Sequence, residues 1–253
     1  MKEYKWPVCP IQGRQLLDVH EEDLFSDYRV CNTYRGGGGY DQLPQIIKNR
    51  GINSNTQLGE IGTQFVVQLH GCHLRCNYCY VTKDGIFGKY KKVSTEEILY
   101  WFNRAKVERC SGVFHLMGGA PALYLSKWSL ILEDFPKDSI FHSDLLLSEY
   151  NYKLRELLDI NLDNTIYAVN IKGTNDFNYR ENTNKEPNWY MMWKNLDKVL
   201  KSGINFYITF TNPDEDLEEF KDMLEGRFGR DILDNSFVID LVKYDAIKNE
   251  NAW

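Results

Sequence analysis

From residue 62 onward, apolar strand-like runs alternate with amphipathic helix-like runs six times, and no other feature of the sequence narrows the fold as far. The strand runs are 65–69, 113–117, 140–147, 165–171, 206–210 and 237–242, with Val, Ile, Phe and Tyr recurring in them. Helix signals lie between. Ser94-Thr-Glu-Glu97 is a capping pattern that sends Ile98, Leu99, Trp101 and Phe102 toward a core. Pro121 suits a first helical position, ahead of Leu125, Trp128 and Leu132. Residues 152–158 read as a short helix, 189–200 as one that stops at Gly203, and 214–224 as the helix after the fifth strand. Such alternation implies parallel strands, helices outside, and ligands at the carboxyl ends of the strands. Six steps fall short of the eight that close a TIM barrel. The expected fold is therefore α/β: a partial (β/α)6 TIM-like barrel over 62–253, open along one side, with a loop-rich N-terminal extension over 1–61. That extension is expected over the open side or under the barrel floor.

With 253 residues, 43% hydrophobic and 14% aromatic, the chain can bury a sizeable core. A formal charge of −6 gives no global reason to expect a nucleic-acid partner. The first residues, Met1-Lys-Glu-Tyr-Lys-Trp-Pro, carry no signal pattern, and no apolar run reaches the roughly 18 residues of a membrane span. The expectation is a cytoplasmic protein without a membrane partner. In the extension, the acidic stretch 18–23 reads as a solvated face and the glycine run 36–39 as a turning loop, because no Lys-Ser/Thr follows it as in a P-loop.

Cysteine usage then locates the chemistry. Three of the six cysteines, Cys72, Cys76 and Cys79, fall within eight positions directly after the first barrel strand. Thiolates that close together favour zinc or an iron–sulfur cluster. A closed zinc site needs four protein ligands, and the nearest candidate, His73, is adjacent to Cys72, where both side chains rarely reach one ion. Three ligands suit an open site. The spacing C-x3-C-x2-C, with Tyr78 before the last cysteine, resembles the signature of the radical S-adenosylmethionine (SAM) superfamily. The resemblance implies one [4Fe-4S] cluster on Cys72, Cys76 and Cys79 whose fourth iron takes SAM. It also implies reductive cleavage of SAM to a 5′-deoxyadenosyl radical that abstracts a hydrogen atom. Cys9, Cys31 and Cys110 show no second cluster spacing.

The same resemblance assigns roles to the other strand ends. Gly118, Gly119 and Ala120 stand where the family carries Gly-Gly-Glu beside the methionine of SAM, with Ala120 in place of the Glu. Ser148 and Glu149, after the third strand, are candidates for the ribose or methionine, or alternatively caps of the following helix. Asn170 and Lys172 share one side of the fourth strand and resemble the Asp-x-Lys of glycyl-radical activating enzymes, with Asn replacing Asp. Thr209 stands where those activases place an Arg. Tyr78 is the adenine contact that the family implies, or a core aromatic. The basic segment 83–92, with Lys89, Lys91 and Lys92, is a place for a flavodoxin- or ferredoxin-like electron donor to dock, or a solvated hairpin. The polar stretch 173–188 reads as a loop on the active-site face, offering Tyr179, Arg180 and Lys185 to substrate.

Two enzyme readings and one of another class follow. The first is a single-cluster radical SAM enzyme acting on a peptide or small metabolite. The second is a glycyl-radical activase, favoured by the six-strand layout and disfavoured by Ala120, Asn170 and Thr209; it leaves a glycyl radical on a partner, visible by electron paramagnetic resonance. The third, a zinc-binding interaction module, predicts colourless protein without SAM binding.

Overall fold

The computed structural model describes residues 4–9, 29–32, 43–52, 63–79, 87–109 and 112–241. The glycine run 36–39, the acidic stretch 18–23, Cys110, residues 83–86 and the side chain of Cys31 lie outside that set.

Each predicted barrel strand forms: Thr63–Gln68 (β3), Val113–Met117 (β5), Ile140–Leu145 (β6), Thr165–Ile171 (β7), Phe206–Thr211 (β8) and Phe237–Ile239 (β9). They pair in that order, all parallel. The result is the expected six-stranded partial barrel. A seventh strand, Arg29–Asn32 (β2), joins antiparallel to β3. Side chains alternate across the sheet. The outer set, including Phe65, Phe114, Phe141, Tyr167 and Ile208, packs with Phe102, Trp128, Leu196 and Phe220 from the surrounding helices into the main core.

The inner set begins apolar and turns polar toward the strand ends. Val113, Ile140, Ile166, Tyr207 and Phe237 form a second core with Leu43, Ile46 and Ile47 of the helix Leu43–Asn49. That helix therefore seals the barrel floor, one of the two places expected for the extension. Each apolar side chain it buries is worth about 1.5–3 kcal/mol. A further strand, Lys5–Val8 (β1), pairs antiparallel with Lys91–Ser94 (β4). Trp6 is fully buried there and donates through Nε1 to Thr95 Oγ1 at 2.9 Å. Val8 bridges to Leu69, and the amide of His70 donates to the carbonyl of Pro7.

The helix signals hold with three differences. Ser94 Oγ accepts from the amide of Glu97 at 3.0 Å, as the capping pattern predicts, and Gly203 ends its helix at φ 68°. After Pro121 the chain forms a 3-10 helix (Pro121–Lys127) and then one α-turn (Ser129–Leu132), because Tyr124 leaves helical geometry while its hydroxyl donates to the carbonyl of His70. The helix expected over 214–224 occupies Leu217–Phe228. Inside the stretch 173–188, expected to be loop, lies a helix, Asp176–Thr183. Asn175 caps its start by accepting from the amide of Asn178 at 2.8 Å, and Asn184 ends it in the left-handed region at φ 52°.

Candidate functional site

The cysteine loop leaves β3 at the carboxyl edge of the sheet, and neighbouring elements fix it by its backbone. Gly71 turns at φ 91°, and its carbonyl accepts from the amide of Ala120 at 2.8 Å. Gly118 and Gly119 both take positive φ, 71° and 54°. A Cβ at Gly119 would stand 2.2 Å from the Gly71 carbonyl oxygen, and one at Gly118 would stand 2.1 Å from Gln68 Cγ. Only glycine lets the end of β5 close on the start of the loop. Ala120 is fully buried and packs with Leu74, Leu146 and Tyr179 in a small apolar cluster that Cys72 and Cys76 also touch.

The helix Asp176–Thr183 clamps the far side of the loop. The amides of Arg75 and Asn77 donate to the carbonyls of Thr183 and Asn182 at 2.9 and 3.2 Å. Asn77 Nδ2 donates to the carbonyl of Glu181, and Asn184 Nδ2 to that of Arg75. Asn182, buried, ties this end of the helix to the strand ends through Nδ2, which donates to the carbonyls of Lys172, Thr211 and Asn212 at 3.0–3.1 Å. Of the three residues that this stretch was expected to offer, only Tyr179 turns inward. Arg180 pairs with Glu186 at 2.8 Å, and Lys185 is exposed.

Cys72, Cys76 and Cys79 are each partly buried. Among the described residues no three His, Cys, Asp or Glu side chains converge as a metal-holding group. Burial pushes the Cys72 thiol up to about 12, reinforced by Cys76 and opposed by Lys172 and Arg75. Burial also raises Cys76, against the pull of Lys172. Lys172 is thus the strand-end cation that both thiols feel, and its Nζ lies 5.5 Å from the ring centroid of Tyr78. Tyr78 is nearly inaccessible, and burial, followed by the neighbouring Cys76, raises its hydroxyl well above the ordinary range.

Ser148 and Glu149 do not cap the next helix, whose N-cap is Lys153. They form a triad with Tyr179 instead. The Ser148 and Tyr179 hydroxyls lie 2.8 Å apart, and Tyr179 donates to Glu149 Oε1 at 3.0 Å. Burial raises the Tyr179 hydroxyl, so it is a donor at neutral pH.

Asn170 and Thr209 belong to a different group. Thr209 Oγ1 donates to Asn170 Oδ1 at 2.5 Å, and Asn170 Nδ2 donates to Asp144 Oδ1 at 3.0 Å. Asp144 Oδ2 faces His115 Nε2 at 3.5 Å, and His115 Nδ1 meets Gln64 Oε1 at 2.8 Å. A polar row therefore crosses the inner face of five adjacent strands. His142 stands beside it, with its ring centroid 4.2 Å from that of His115 and its Nε2 2.8 Å from the Tyr207 hydroxyl. Sequence reading singled out two members of the row and missed Gln64, His115 and Asp144. The signal was the alternation in Ile140-Phe-His-Ser-Asp144, which puts His142 and Asp144 on the same face as Ile140.

Comparison with known proteins agrees with this layout. A family model described as the Radical SAM superfamily matches residues 66–225. No curated protein matches the chain. Among solved structures, Streptococcus suis SuiB bound to precursor peptide SuiA superposes with a TM-score of 0.52 at 11% identity, covering 70% of this chain and 38% of that one. Native anSMEcpe with bound AdoMet gives 0.49 at 14% identity, covering 68% of this chain and 49% of that one. The chain therefore spans half or less of the length of these proteins. No helix among the described residues is long and apolar enough to cross a membrane.

Proposed function

The chain belongs to the radical SAM superfamily, and from that membership we propose that it is a single-cluster enzyme that cleaves SAM reductively and abstracts a hydrogen atom from a peptide or small-metabolite substrate. Three features support the two groups that the family implies. Three thiols share one loop, Lys172 supplies positive charge beside them, and the glycine turn of β5 holds the loop against the sheet edge. When bound, the cluster and SAM supply a 5′-deoxyadenosyl radical. Cys72, Cys76 and Cys79 would hold the cluster as thiolates in this reading. Lys172 attracts the SAM carboxylate, as an ammonium does with any carboxylate in a shielded site. Glu149, oriented by Tyr179 and Ser148, accepts from the SAM ammonium and so does the work of the glutamate that Ala120 replaces. Tyr78 packs near the adenine, and Gly118 and Gly119 offer backbone edge.

The observation that carries the reading is the gathering of the cysteine loop, Lys172 and the Ser148–Glu149–Tyr179 triad at adjoining strand ends of one parallel sheet. Oxygen-free reconstitution is expected to give brown protein with about four iron per chain. Reduction with SAM should yield 5′-deoxyadenosine, and Cys76→Ala should abolish both. Colourless protein that binds zinc and releases no 5′-deoxyadenosine would instead support the interaction-module reading, and iron near eight per chain would refute the single cluster. The peptide branch is supported by the fold likeness to SuiB, itself seen with a precursor peptide. A glycyl radical formed on a partner protein would favour the activase. Exposed Lys89, Lys91 and Lys92 support a flavodoxin- or ferredoxin-like donor docking beside the loop.

A further inference from the structure

We propose that Asp144 is the receptor for an organic cation, an amine or guanidinium carried by the substrate, inside the barrel; the proposal rests on the radical SAM reading and names the substrate class for the same site. On the inner face, the layer below the polar row is apolar and sealed by the helix Leu43–Asn49. Lys172, one inner position beyond Asn170 on β7, already belongs to the cysteine-loop group. The row of Gln64, His115, Asp144, Asn170 and Thr209 lies between the two. A barrel that only needed filling at this level would carry aliphatic residues, as it does one layer down. An ionised carboxylate in such a place costs several kcal/mol unless it is paired.

The row fixes the carboxylate and sets no permanent cation against it; His115 offsets its charge only when protonated. Thr209 occupies the Asn170 carbonyl, which turns the Asn170 amide group toward Asp144 Oδ1. Gln64 anchors His115, whose Nε2 stands 3.5 Å from Oδ2, beyond a good hydrogen bond. No Lys or Arg among the described residues pairs with Asp144, and the nearby Lys172 is directed to the Tyr78 ring and the thiols. An ionised carboxylate offers about four acceptor positions, so two neighbours leave it with capacity to spare. The Asp144 side chain keeps 15% of its exposure, where His115 keeps 3%. It is the acidic member of the row and, with Asn170, stays partly open to an incoming group. A cation recovers the cost of the buried charge, whereas an anion meets repulsion.

Calorimetric titration of the cluster-loaded, SAM-bound protein tests this with n-butylammonium against neutral n-butanol, and with a blocked lysine peptide against its norleucine counterpart. The cationic member of each pair is expected to bind at least about tenfold more tightly, as a charge-assisted hydrogen bond requires. Asp144→Asn should remove that preference. Preference in the amine pair alone points to a small metabolite, and in the peptide pair to a peptide. Equal binding of charged and neutral probes, no binding by any probe, or an undiminished preference in Asp144→Asn overturns the proposal. The wild-type comparison decides the matter even if the variant fails to fold. SAM cleavage without cation preference sinks this inference alone, while cation preference without SAM cleavage sinks the reaction reading and leaves the receptor standing.

Discussion

His142 lies fully buried between His115 and Tyr207, and burial, followed by the charge of His115, holds its imidazole well below the ordinary value of 6.5. A histidine kept neutral in the fold binds a proton less tightly there than in the unfolded chain. Its stabilisation is therefore complete above about 6.5 and is lost as pH falls below that, where the unfolded chain takes up a proton that the native one refuses. Asp144 adds a second, more acidic window. Desolvation pushes its carboxyl up, but the His115 imidazole facing it at 3.5 Å, with the help of His142 and Asn170, outweighs that and brings it from 3.8 to about 2. Its contribution is present above 3.8 and disappears as pH falls toward 2. Urea unfolding at pH 7.5 and 5.5 should show a clear loss for the wild type and a smaller one for His142→Gln. Equal losses would mean that His142 is not the group responsible.

At the level of elements, the helix Asp176–Thr183 shows where sequence reading stopped and why. The six barrel strands and most outer helices were legible because burial writes a period into them, as in Phe65, Val67 and Leu69 or Phe114 and Leu116. The cysteine spacing and the glycine turn were legible because their chemistry is local. This helix has no apolar stripe, since its inward residues are Asn178, Tyr179 and Asn182 and its contacts are hydrogen bonds to loop and strand ends. Only its caps, Asn175 and Asn184, spoke for it. The polar row escaped for a related reason: its order is made across strands, and no single strand displays it. Because Asn182 links the cysteine loop to β7 and β8, Asn182→Ala should cost about 1–3 kcal/mol in unfolding free energy. It should also lower the iron retained per chain after reconstitution. Full iron retention in a folded variant would show that the loop holds its shape without the clamp.

Across the whole molecule, charge and architecture divide the surface into roles. The chain carries a formal charge of −6, yet Lys89, Lys91 and Lys92 stand exposed close to the cysteine loop, on and beside the strand that pairs with β1. Complementary charge accelerates encounter with an acidic donor. Changing all three lysines to Glu should slow flavodoxin-driven turnover at low salt and leave dithionite-driven turnover alone; parallel behaviour of the two reductants would remove the docking site. The sealed barrel floor bears on synthesis. Leu43, Ile46 and Ile47 find their partners on β5 to β9, and the last of these, Ile239, leaves the ribosome about 190 residues after Ile47. At typical rates of elongation, that is roughly ten to forty seconds during which an apolar helix face waits in water. The nascent chain is thus most exposed to aggregation, and most dependent on chaperones, in the interval before its final strand emerges.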